Sequence, residues 1–391
     1  MNTPSDYDLP RVRAAFPVLE REVYLNVGTW GIMPEPALTA YLEALAAFER
    51  EGVSTRVRFG ESERQAREMT AALLGAAPEE IAFTRNATDG INLALSGMRW
   101  EEGDEAVSTA EEHEAMFHPL LWLQRTRGVK ARFIEVSPDP CRFLASLTDA
   151  VTRRTRLIAV SHVSCETGIR LPVREVSAWA RERGIATLVD GAQALGAIPV
   201  DVREIGCDCY AANGHKWLCA PKGSGIFYAE SGFMKGLAPA HVGAGSFSKA
   251  DRQTGEIEPW DSGQRFEFGT RNQIVGVGLC ESIRWFDGLG WPRVFDHVAG
   301  MALYLKERLR ELDGVRLLTP VEREASSGLT TFAFPGLDEG KMRAALGERH
   351  VHHRGIPHYD AIRISTAHFT SRGDVDILVE ALASASPRPA R

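Results

Sequence analysis

Apolar residues recur at helical spacing soon after Pro36, where Leu38, Leu42, Leu45 and Phe48 fall on one face. Proline in the first turn marks where such a helix starts. A second helical stretch covers residues 61–74 and meets Gly75, the residue type that ends helices in the left-handed conformation. Short strand-like runs follow at Ile81–Thr84, Glu105–Thr109, 129–136, 157–163, 185–190 and Gly225–Ala229, with helical stretches at 113–127 and 172–183 among them. This alternation predicts an α/β fold with a mainly parallel central sheet flanked by helices. After about residue 287 the pattern restarts with a helix over 294–312, strand-like runs at 315–318, 330–334 and Ala361–Ser365, and a final helix. Two units are expected: a large domain over 24–286 and a smaller C-terminal α+β domain over 287–391, completed by residues 1–23. The stretch 243–263, rich in glycine, serine and charge, reads as a long loop, and the tail 384–391 as frayed.

Composition narrows the class without naming a function. The 391 residues are 44% hydrophobic and 25% charged, ordinary for a globular chain. A net charge of −7 argues against general affinity for nucleic acid or anionic lipid. Residues 1–10 lack the order of a signal peptide, and no apolar run approaches the ~20 residues that cross a bilayer. Six cysteines, none in a CxxC pair, fit a reduced, cytoplasmic protein.

Three segments carry chemistry. The run IATLVD puts Asp190 at the carboxyl end of a strand, the edge where open α/β sheets bind ligands; an aspartate that merely caps a turn is the plainer alternative. In GHKWLCAPKGSG, Lys216 has unusually apolar neighbours. Desolvation favours the neutral amine that carbonyl chemistry needs, although a lone lysine in a turn is ordinarily a surface residue. In TRNATDGINLAL, a strand-to-helix turn offers free amides to a phosphate, or forms an ordinary N-cap.

Together these segments resemble the class V aminotransferase group of fold-type I pyridoxal-phosphate (PLP) enzymes. That group includes cysteine desulfurases, isopenicillin-N-epimerase-like proteins and kynureninases. The resemblance runs from YLNVGTWGIMPEPAL (24–38) to IRISTAHF (362–369) and is most specific in VDGAQALG and GHKWLCAPKGSG. It implies that Lys216 carries PLP as a Schiff base and moves protons at the substrate Cα. By the same resemblance Asp190 pairs with the ring nitrogen, Gln193 bonds the ring oxygen and His113 stacks on the ring. Ala87, Thr88 and His215 would hold the phosphate, and Thr270 would reach the phosphate of a neighbouring subunit, implying a homodimer with a shared site. Arg363 would clamp the carboxylate of an amino-acid substrate.

Two departures qualify this. Cys165 stands in SHVSCETG where family members often have asparagine. No cysteine follows Cys280, so the segment HVHHRGIPHYD cannot supply a desulfurase nucleophile, and ordinary desulfurase activity is not expected. An aminotransferase or epimerase-like reaction is favoured, with a C–S or β-eliminating lyase as the alternative and a non-catalytic PLP-binding protein as the alternative of another class. No metal site is expected: His113 and His118 are five apart, not the four of HExxH. His350, His352, His353 and His358 are expected to line the substrate side near Arg363. No GxGxxG follows a strand and no GxSxG is present.

Overall fold

The structure, a computed structural model, describes residues 7–334 and 336–385. Most of the tail expected to fray, and the first six positions, lie outside the described residues.

Seven strands form the central sheet, in the order Ile81–Thr84, Gly225–Ala229, Cys209–Asn213, Ala186–Asp190, Thr155–Ser161, Glu105–Thr109 and Lys130–Ile134. Every pairing is parallel except the two made by Gly225–Ala229. Alternate residues feed two cores, as the two-residue period of a strand requires. Val107, Ile158, Val189 and Tyr210 pack on one face; Ala106, Leu157, Leu188 and Ala211 pack on the other. Burial on both faces explains why these strands read as continuous apolar runs.

A second sheet of four strands, Arg316–Leu317, Leu329–Ala333, Ala361–Ser365 and Arg354–Ile356, is antiparallel throughout. Helices Trp291–Arg310, Glu339–Gly347 and Arg372–Ala385 bury Leu305, Leu346 and Leu378 against it. The N-terminal segment joins this half: Val23–Tyr24 pairs in parallel with Val351–His352, and Asn26 bridges Ser365.

Two expectations need correction. The stretch 243–263 is not a structureless loop, because Phe247–Ala250 and Ile257–Pro259 form a hairpin. Its turn is held by the Asp251 carboxylate, which accepts from the amides of Gln253 and Thr254, and by Gly255 at φ 76°. In helix Glu35–Glu51 the apolar stripe does not all face the core. Ala37 and Ala44 are buried, whereas Leu42 and Leu45 are exposed.

Candidate active site

The parallel strands end together, and their last residues form the floor of the site. Asp190 closes its strand beside Ser161 of the neighbouring one. Its Oδ1 accepts from the Ala192 amide at 2.8 Å, while Oδ2 has no partner among the described residues. Burial raises the Asp190 pKa, opposed by the Ala192 amide and by Lys216. Behind it lies Glu112, also buried, which accepts from the Ser161 amide, the Ser161 hydroxyl and the Thr109 hydroxyl. Burial pushes Glu112 up to about 7. This carboxylate ties the ends of strands Glu105–Thr109 and Thr155–Ser161 together.

Lys216 follows strand Cys209–Asn213 in a turn closed by the Cys219 amide, which donates to the Lys216 carbonyl at 3.0 Å. The chain around Gly31 crosses so near that a Cβ there would lie 2.0 Å from the Lys216 carbonyl oxygen. Only glycine allows that approach. The Lys216 side chain keeps some surface accessible but is densely surrounded, and its amine has no hydrogen bond among the described residues. Burial lowers its pKa to about 8; Asp190 opposes the shift, and Arg363 and Arg354 add to it.

A single cavity is lined by Ala87, Thr88, His113, Asp190, Gln193 and Lys216. Six of the nine residues singled out from sequence therefore meet in one place. At the start of helix Ala87–Gly97 the Ala87 amide is already taken by Asn213 Oδ1 at 2.9 Å. The Thr88 amide and hydroxyl have no partner among the described residues, so the anion-binding capacity of this helix start rests on Thr88. His113 caps helix Glu114–Arg127, its Nδ1 accepting from the Ala115 amide. That bond places the proton on Nε2, and burial, then Lys216, lowers the ring's pKa to about 4. His113 is thus a neutral ring at the cavity wall. Gln193 is fixed at both ends: Nε2 donates to the Gly28 carbonyl and Oε1 accepts from the Trp217 indole. One Nε2 hydrogen remains.

Arg363 reaches the site from the small sheet. It is buried and donates to the Cys165 carbonyl and to Thr29 Oγ1, leaving Nε without a partner. Directly opposite it across the strand pair stands Arg354, so both side chains leave the same sheet face. Neither makes a salt bridge among the described residues, and the Arg354 charge acts on Lys216, His113 and Arg363. An outer cavity holds Arg354 with Thr29, His350, His352 and His353. His352 also contacts Glu22 at 3.1 Å, and His358 lies 3.5 Å from Glu166.

Arg363 borders the central cavity without lining it, and two further residues are placed elsewhere. His215 turns its ring toward Trp30, with centroids 6.4 Å apart, and its Nδ1 is buried without a partner. Thr270 lines a separate cavity with Thr84, Arg85, Lys222 and Arg271.

Residues 35–378 match the aminotransferase class-V family. The chain belongs to that family. It is 32% identical to the isopenicillin N epimerase of Streptomyces clavuligerus, covering 92% of this chain and 94% of that one. It is 31% identical to a cysteine desulfurase of Pectobacterium carotovorum, covering 96% and 97%. Among solved structures it resembles a cystine C–S lyase in complex with its reaction product cysteine persulfide, at a TM-score of 0.89 and 28% identity over 95% of this chain and all of that one. In a variant of that lyase glycine is covalently linked to the PLP cofactor.

This class-V protein is therefore a PLP-dependent enzyme, and its residues suit the cofactor. The free Thr88 donors, the unpartnered Asp190 Oδ2 and the unbonded Lys216 amine offer one partner each to a phosphate, a ring nitrogen and an aldehyde carbon. Sequence reasoning missed Asn213, Glu112, Thr29 and Arg354. Asn213 had a signal, an amide at a strand end three residues before Lys216. The other three had none, because their roles depend on which segments fold against them.

Proposed function

We propose that this class-V enzyme is a β-eliminating C–S lyase acting on amino acids that bear a second acidic group, with cystine as the reference substrate. Bound PLP supplies an electron sink for the charge left when a bond to Cα breaks. Asp190 Oδ2 holds the proton on the ring nitrogen. Thr88 and the Asn213-braced helix start bind the phosphate, His113 packs on the ring and Gln193 donates to the ring oxygen. Arg363 fixes the α-carboxylate through the planar fork that suits it. Lys216 takes the Cα proton. The Cβ–S bond then breaks with its electron pair leaving on sulfur. Overall, one cystine and one water give one cysteine persulfide, one pyruvate and one ammonia.

The observation that carries this reading is the solitude of Lys216. Of the other titratable side chains lining the cavity, burial lowers His113 to about 4 and raises Cys165 to about 12, and Asp190 would be the partner of the ring nitrogen. Epimerisation needs a second proton donor on the opposite face. A disulfide sulfur leaves as a weakly basic persulfide and needs no dedicated acid. The similarity to a cystine C–S lyase and the absence of cysteine from HVHHRGIPHYD agree with sulfur leaving on the product instead of on the protein. Epimerisation stands second, on the similarity to the Streptomyces enzyme. Arg354, opposite Arg363 and unpaired, suits the second carboxylate of the substrate.

We further place the site at the interface of a homodimer. Thr270 opens into its own cavity beside Arg85 and Lys222, and the apolar side chains of Leu42, Leu45, Val53 and Val57 are each exposed. Light scattering of the holoenzyme should give twice the chain mass.

Holoenzyme incubated with cystine should release pyruvate, ammonia and sulfane sulfur in equal amounts. Keto acid without ammonia would point to transamination, and D-amino acid without sulfur to epimerisation. A PLP-yellow protein that turns over no amino acid would be a binding protein. Each of these outcomes overturns the proposal.

A further inference from the structure

On the side of the molecule formed by helix Trp291–Arg310, a second cavity of about 180 Å³ lies between that helix, residues 197–199 and the loop 321–328. It shares no lining residue with the central cavity. Three cations line it, and one of them, Arg323, is taken up by an ion pair. Lys306 is 1% exposed, and its ammonium makes one hydrogen bond, to Ser326 Oγ at 2.8 Å. Arg170 makes no side-chain hydrogen bond or ion pair among the described residues, although its amide donates to the Ala325 carbonyl. Glu322 acts on Lys306, and Glu175 and Glu324 act on Arg170, but none of the three lines the cavity. The lining carboxylate, Asp296, is engaged by Arg323 at 2.5 Å. An ammonium has three donors, and one buried this deeply ordinarily has an acidic partner. The lining also includes apolar side chains: Ile198, Phe295, Leu303 and Val321.

We propose that this cavity binds a small organic carboxylate, its carboxylate between Lys306 and Arg170 and its short apolar body against Phe295 and Val321. The cavity holds a molecule of about six heavy atoms, since a water occupies roughly 30 Å³ of liquid. Its walls favour a carboxylic acid over inorganic phosphate, which has no apolar surface to bury.

Calorimetry on the holoenzyme, with butyrate as probe, tests this. Saturable binding is expected, with butyramide and phosphate at least tenfold weaker. Arg170→Gln should weaken butyrate at least tenfold, and Lys306→Met should do the same while sparing the core. Arg170 is only partly buried, so its variant remains informative if the Lys306 variant misfolds. Because butyrate can also approach Arg363, the titration is repeated in Arg363→Gln. Binding that survives there and fails in Arg170→Gln supports the second site. Binding lost in Arg363→Gln, equal binding of butyramide, or no saturable heat overturns it. None of these readouts depends on which reaction the enzyme catalyses.

Discussion

The large-sheet wall of the site is tied together before any ligand arrives, with Glu112 receiving three donors and Asp190 anchored by the Ala192 amide. The small-sheet wall instead sets Arg354 opposite Arg363 without an acidic partner for either. Like charges directly opposite on a sheet are destabilising, so that wall carries positive charge for a ligand to neutralise. The first wall is preorganised for chemistry, because its groups need not move when charge develops at the substrate. The second is poised for recognition. Substitutions on the two walls should therefore fail differently: in turnover on one, in affinity and selectivity on the other.

The largest effect should come from the first wall. Lys216→Ala should lower kcat by about 10²–10⁴-fold, the range for losing a positioned acid–base group, and abolish the visible absorbance of the lysine-bound cofactor. A change confined to KM would break the distinction. On the second wall Arg363→Lys keeps the charge but loses the planar fork. Its KM should rise about 10–100-fold for every substrate with an α-carboxylate, with kcat nearly unchanged.

Gly31→Ala tests whether the chain crossing holds the first wall in place. Its Cβ would meet the Lys216 carbonyl, so destabilisation of about 1–3 kcal/mol should appear in denaturant titration, together with weaker retention of PLP. Arg354→Gln should act more narrowly. A roughly tenfold rise in KM is expected for diacid substrates such as cystine and almost none for monoacid ones; equal effects on both would return Arg354 to the general electrostatics of the site.

The smallest effect is in pH. In the apoenzyme the Lys216 pKa falls from 10.5 to about 8, so between those values the unfolded chain binds more protons than the folded one. Stability then rises with pH across that window. The slope of wild-type apoenzyme should exceed that of Lys216→Met there, by at most one proton's worth, as read by urea titration at several pH values. Equal slopes would mean that Lys216 titrates alike in both states.

Much of the first wall was legible in the sequence. An apolar run ending in Asp190 is both a buried strand and a carboxylate at a sheet edge, and Gly75 and Pro172 mark helix ends by their own backbone preferences. Composition could not show that Glu112 would be buried: in EEHEA it reads as surface charge, and only Thr109 and Ser161 folding around it make it a staple. The stripe of Leu42 and Leu45 misled for a related reason, since periodicity shows that a helix has an apolar face but not what covers it.

The sequence by itself determined the strand–helix alternation, the lysine in apolar company and the aspartate at a strand end, because these follow from local spacing and burial preference. Only the tertiary structure decided that Thr88 and not Ala87 keeps a free amide, that Gln193 is held at both ends, and that Arg354 faces Arg363. Those facts depend on contacts between residues far apart in the chain, such as Ala87 with Asn213 and Gln193 with Gly28. Register and close approach are settled when segments pack, and no local pattern of hydrophobic and polar residues encodes them.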